Sequence, residues 1–154
     1  MKTFVAILLT ALIFTACGNS GPEPINYNKD ACEFCKMSIS ENRFAAEIIT
    51  VKGRVYKFDD LQCLLQYDAD NKEIPVKNYY VSSFLEDGKL IDAATALFIK
   101  HESMRSPMGG NIAAFSTQQT AADYASKNQT AITTWKDLAT AAPAEENSHH
   151  GHSH

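Results

Sequence analysis

The sequence predicts an α+β fold made of two ββαβ units in tandem, each a small antiparallel or mixed sheet with one helix. The main observation is an internal repeat. Shifting the 154-residue chain by 57 places lays Gly53-Arg-Val-Tyr-Lys-Phe58-Asp-Asp-Leu-Gln62 over Gly110-Asn-Ile-Ala-Ala-Phe115-Ser-Thr-Gln-Gln119. The alignment runs on without a gap through Tyr67 over Tyr124 and Asn71 over Asn128, giving five identities and marking a duplicated supersecondary unit. A second observation agrees with it: both copies show the same order of strand, turn and helix signals.

In each copy a strand (Phe44 to Val51; Ala96 to His101) precedes a glycine turn, and a second strand ends in phenylalanine (Val55 to Phe58; Ile112 to Phe115). A polar residue, Asp59 or Ser116, then stands where a helix N-cap belongs. Helices follow at about 60–70 and 117–127, with Asn71 and Asn128 expected as left-handed caps at their ends. A last strand closes each copy, Tyr79 to Phe84 and Ala131 to Trp135, both rich in β-branched or aromatic residues.

Around these units the chain divides by composition. Lys2, the apolar run Phe4 to Phe14 and the small residues Thr15-Ala16 before Cys17 form a secretory signal over 1–16. The run is well short of the roughly 20 residues a spanning helix needs. A cysteine directly after the small pair resembles the lipobox of bacterial lipoproteins, with Phe14 where leucine is usual, and places lipidation at Cys17. The expected organisation is therefore a signal (1–16), a lipidated tether (17–30) rich in Gly, Ser and Pro, a first unit (31–86), a second unit (87–138) and a disordered tail (139–154). The protein is expected in the bacterial envelope, held to a membrane by its lipid and facing the periplasm.

The formal charge of −4 becomes −5 once the signal and its single lysine are gone, and no basic stripe remains. Nucleic acid is excluded as a partner on that ground. With Cys17 lipidated, Cys32, Cys35 and Cys63 are left, an odd number for an oxidising compartment, so at most one bridge forms and one thiol stays over.

The two loops that differ between the copies carry the chemistry. The first copy is preceded by Cys32-Glu33-Phe34-Cys35-Lys36-Met37, and the second has Met104-Arg-Ser-Pro-Met108-Gly-Gly110 inserted in its hairpin. Thiolate and thioether sulfurs are polarizable donors that suit Cu(I), whereas zinc is seldom held by methionine. Cys35 and Met37 are the first candidate ligands, followed by Cys32 and, on the second copy, Met108. Met104 reads as a neighbour or auxiliary donor. Cys63, between Leu61 and Leu64, reads first as a packing residue and only then as a donor. Asp59 and Asp60 look like an acidic pair, but their place at a helix start makes capping and dipole complementarity the better account. The tail histidines His149, His150, His152 and His154 suit Cu(II), Ni(II) or Zn(II), or are an incidental polar terminus.

Two other readings of the CxxC stay open. A thioredoxin-like oxidoreductase would place it at a helix start after a buried strand, and here a polar stretch leads into it instead; a structural disulfide is the other. A general envelope copper and zinc scavenger differs from a dedicated carrier only in lacking a specific acceptor.

Taken together, the lipoprotein signal, Cys32-x-x-Cys35-x-Met37, Phe58-Asp-Asp-Leu-Gln-Cys63-Leu64 and Ser106-Pro-Met108-Gly-Gly-Asn-Ile-Ala-Ala-Phe115 resemble the NosL family of copper-binding lipoproteins, from about Cys32 to Leu138. The resemblance implies a tandem ββαβ fold and a non-enzymatic chaperone that delivers Cu(I) to the nitrous oxide reductase apo-enzyme with the help of an ABC-type transporter complex. Many relatives carry proline and glycine inside the first motif, where this chain has Phe34 and Lys36.

Overall fold

The computed structural model describes residues 21–141. Cys17 and the tail histidines His149, His150, His152 and His154 lie outside them. The first unit holds β1 (Ala46–Thr50), β2 (Val55–Phe58), α1 (Leu61–Asp70), β3 (Val76–Ser82) and β4 (Leu90–Asp92). The second holds β5 (Leu97–Lys100), a 3-10 turn at Glu102–Met104, β6 (Ile112–Phe115), α2 (Gln118–Asn128), β7 (Ile132–Thr134) and α3 (Trp135–Ala141). Two sheets result, in the orders β2-β1-β3-β4 and β6-β5-β7, and every strand pairing within them is antiparallel. The tandem ββαβ plan is present, with β4 and α3 added.

The repeated residues make repeated contacts. Phe58 stacks on Tyr67 with ring centroids 5.3 Å apart, and their counterparts Phe115 and Tyr124 do the same at 5.0 Å. Asn71 Nδ2 donates to the Tyr67 carbonyl and Asn128 Nδ2 to the Tyr124 carbonyl, both at 2.8 Å. These asparagines thus close the helices through their side chains. Asn71 has φ −127 and the left-handed residue after α2 is Gln129, so the expected left-handed asparagine caps are not formed. The N-caps also sit one residue later than expected, at Asp60 and Thr117, which are again equivalent under the 57-residue shift. Trp135 opens α3 instead of ending a strand, because Thr134 and Asp137 form a reciprocal capping box at 3.2 and 3.4 Å.

The units share one core. Strand β5 sends Phe98 to one face, with Phe58, Leu61 and Leu64 of the first unit, and Ile99 to the other, with Phe115 and the α2 alanines. Period-2 alternation allows this only in a sheet covered on both sides. The seam is stitched by the parallel bridge Ser83↔Ala114 and by the Phe84 amide donating to the Ala114 carbonyl at 2.8 Å.

Strand β1 is buried throughout, and that includes Glu47. One carboxyl oxygen accepts from the Glu23 amide at 3.0 Å and the other finds no partner among the described residues. Burial pushes this carboxyl up to about 7, against the pull of the Glu23 amide and Lys57 towards the anion. Below about pH 4.5 both folded and unfolded states are protonated and the full stability is present; as pH rises from 4.5 to about 7 the unfolded state ionises first and stability is lost. At ~1.4 kcal/mol per unit the loss is on the order of 3 kcal/mol. Glu47→Gln should therefore flatten the stability profile across that window and unfold at higher denaturant than wild type at pH 8; matching profiles for the two proteins would contradict this.

Candidate metal centre

The cysteine motif folds as a tight hairpin held to the sheet. Ala31 bridges Ser38, the Cys32 amide donates to the Met37 carbonyl at 2.8 Å, and the Lys36 amide donates to the Cys32 carbonyl at 3.0 Å. Lys36 closes the turn at φ 63, a conformation that glycine adopts without the roughly 1–2 kcal/mol penalty of other residues. The Glu33 amide donates to the Lys57 carbonyl at 2.8 Å, docking the hairpin on β2, and Lys57 Nζ returns to Asp30 at 2.8 Å.

This docking carries Cys32 and Cys35 over the start of α1, where Cys63 is the third residue. The sulfurs of Cys32, Cys35 and Cys63 all lie within 4.8 Å of one another, and no disulfide joins them. Cys32 and Cys63 are fully buried and Cys35 is half-buried. The neighbouring Cys63 thiol, with the Asp59 and Cys35 backbone amides, pulls the Cys32 thiol down to about 5 against its burial. Cys63 is pushed far up because it is the donor to Cys32, with burial and the neighbouring negative charges adding. Burial raises Cys35, as does the charge on Cys32. The three sulfurs thus pull in opposite directions, Cys32 towards the thiolate and the other two towards the thiol. It is a soft, anionic, three-sulfur pocket, and among the described residues no histidine or carboxylate joins it.

The thioethers lie further out. Met37 is 58% exposed and Met108 38%. One thioether loop is fixed through the Met37 carbonyl, which accepts from the Cys32 amide at 2.8 Å. The other is fixed by Asp60, whose carboxylate is buried at the α1 N-cap. One of its oxygens accepts from the Cys63 amide at 3.1 Å; the other accepts from the Ser106 hydroxyl at 2.7 Å and the Met108 amide at 3.0 Å. Ser106 and Asn111 close the same loop on each other, side chain to amide in both directions, at 3.1 and 2.9 Å. A Cβ on Gly110 would come within 2.7 Å of Gln62 Cβ, so only glycine lets the loop lie this close to α1.

Of the residues expected to matter, Cys32 and Cys35 are brought together, and Met37 and Met108 stand exposed on the two loops tied to the same helix end. Cys63 does more than pack: its sulfur is a full member of the cluster. Met104, expected as a neighbour or an auxiliary donor, is buried with Phe44, Ile99 and Phe115 in the core of the second unit. Asp59 does not cap; its carboxylate accepts from the Ser40 amide at 3.2 Å, and burial raises it. What the sequence reading missed is the place of Cys63. The thiol left over by the odd count was its only signal.

Comparison with known proteins comes to bear on this geometry. The family model for NosL matches residues 24–143. Among solved structures, the chain is similar to the crystal structure of the copper chaperone NosL from Shewanella denitrificans, with a TM-score of 0.66 and 23% identity over 76% of this chain and 94% of that one. At that identity the likeness speaks for the fold. No curated protein matches the chain in sequence.

Asp60→Asn isolates the carboxylate's second oxygen. An amide nitrogen turned to the Met108 N–H leaves two donors facing each other, at a cost of about 1–3 kcal/mol for a buried unsatisfied group. Hydrogen exchange should accelerate selectively at Met108 to Gly110 with the cap at Cys63 retained; uniform protection across the loop would show that Asp60 does not hold it.

Proposed function

The chain belongs to the NosL family, and from that premise we propose that it is a Cu(I) metallochaperone supplying copper for assembly of the copper sites of nitrous oxide reductase. The observation that carries this reading is the convergence of Cys32, Cys35 and Cys63 beside two loops bearing exposed thioethers. Soft donors in this number favour Cu(I), while zinc prefers four ligands of nitrogen, oxygen or thiolate type. The similar fold belongs to a protein described as a copper chaperone, which supports the same reading. An ABC-type assembly transporter complex acts beside it, and the lipid at Cys17 keeps the carrier at the periplasmic face of a membrane. The hairpin setting of the CxxC weighs against an oxidoreductase, whose attacking thiol would open a helix.

Cells lacking the protein should still export the reductase polypeptide, but with depleted copper sites, and should accumulate nitrous oxide, more so when copper is scarce. The wild-type gene should restore metallation and Cys35→Ser should not. A deletion strain with fully metallated, active reductase under copper limitation would refute the assignment and leave a general copper binder. Localisation is tested separately. Cys17→Ser should release the protein from the membrane fraction with copper binding intact, whereas wild-type protein recovered soluble and without lipid would overturn the anchor.

A further inference from the structure

The donors around this site are graded by exposure, and the gradient has kinetic meaning. At its inner end, Cys32 and Cys63 are closed to solvent. Cys35 is half-buried, with its sulfur within 4.8 Å of both of theirs. At its outer end stand the two exposed thioethers, each on a loop tied through its own backbone, Met37 by its carbonyl to the Cys32 amide and Met108 by its amide to the carboxylate that caps Cys63. Of the three clustered cysteines, only Cys35 is open to solvent, so an acceptor's donor atom meets it before the other two. The thioethers, in turn, are neutral and open to solvent. They hold Cu(I) more weakly than thiolates do and are the first donors a partner would meet.

We propose that the site has two tiers: Cys32, Cys35 and Cys63 hold Cu(I) at rest in a closed three-thiolate pocket, and Met37 and Met108 form an outer relay through which the ion is loaded and released. This rests on the copper-carrier reading above and adds the resting ligand set and the route. Copper stays monovalent throughout. On loading, each new copper–sulfur bond to a thiol releases that thiol's proton to water. On release, a thioether bonds the ion as a thiolate bond breaks, the freed sulfur regains a proton, and the acceptor's donors then displace the thioethers one bond at a time. The negative charge of the loaded pocket is met by the N-terminus of α1, in whose first turn Cys63 lies. Three sulfurs with no fourth His or carboxylate donor among the described residues suit Cu(I) better than zinc, which prefers four ligands.

The test uses the reduced full chain, loaded anaerobically with one equivalent of Cu(I) and challenged with a chromogenic Cu(I) chelator. X-ray absorption should show three short copper–sulfur bonds in the wild type, matching the three clustered cysteines. Cys63→Ala should lose one of them and bind more weakly by at least the roughly 100-fold that removing even an outer-shell partner can cost a metal site. The double variant Met37→Leu, Met108→Leu should keep the three short copper–sulfur bonds but yield copper to the chelator about tenfold more slowly, a barrier increase of about 1.4 kcal/mol. The proposal is overturned if Cys63→Ala keeps both affinity and sulfur number, or if the methionine variant loses affinity with an unchanged relative rate, which would make the thioethers resting ligands. Should Cys63→Ala fail to fold, the wild-type spectrum decides: a longer thioether bond in the resting shell overturns the proposal, and a shell of thiolates alone supports it. A wild-type chain that binds no Cu(I) would defeat the carrier reading itself, whereas binding that is indifferent to Cys63 defeats only the two-tier site.

Discussion

The site depends on how the two oxygens of Asp60 are shared. A helix N-cap normally needs one acceptor, and serine or threonine would serve. Asp60 caps Cys63 with one oxygen and has a second that accepts from Ser106 and Met108, 46 and 48 residues away in the chain. A buried carboxylate costs several kcal/mol of desolvation unless its lone pairs are filled, and here three donors fill them. The same requirement that makes the charge tolerable pulls the methionine loop of the second unit onto the thiol cluster of the first. Gly110 permits the close approach, and the Ser106–Asn111 pair gives the loop its shape before it docks.

Duplication supplies the contrast that makes this visible. Under the 57-residue shift Asp60 becomes Thr117 and Cys63 becomes Thr120, and in the second unit the Thr117 hydroxyl bonds only Thr120, capping its amide at 3.2 Å and pairing with its hydroxyl at 2.8 Å. Both copies keep the Phe–Tyr stack and the asparagine closing the helix, which are the contacts that hold a helix on its sheet. They differ where the second acceptor and the sulfur appear. The fold-bearing residues of the repeat are thus separate from the site-bearing ones. The site arises where one copy's helix start meets the other copy's hairpin.

That division also explains what could be read from the chain. Contacts repeated in sequence are local, so strands, helices and the tandem plan were legible from Phe58, Tyr67, Asn71 and their counterparts. The cap positions were missed by one residue because Asp59 and Asp60 are both competent acceptors, and only the tertiary setting turns Asp59 to Ser40. Strand β4 is too short, at Leu90–Asp92, to show an alternation. Helix α3 did carry a local signal, Thr134 and Asp137 at capping-box spacing, but Trp135 favoured a strand reading. The two sulfur loops were visible as the segments the repeat does not explain. The convergence of Cys63 with Cys32 and Cys35 was not, because it depends on how the hairpin docks on β2.

The docking also determines what kind of metal site this is. Small metal-binding hairpins are often unfolded without their ion, so that binding and folding share one free energy and release of the metal means unfolding. Here the hairpin is fixed by bonds that involve no metal: Glu33 to Lys57, Cys32 to Met37, Lys36 to Cys32, and the Lys57–Asp30 ion pair. Ile39, just past the motif, is fully buried in the core and anchors the returning strand. With the backbone set in advance, the sulfurs are already gathered before any ion arrives, and little ordering entropy remains to be lost on binding. Ligands can then be exchanged one at a time around a scaffold that keeps its shape, as a protein that must both hold a metal and give it up requires.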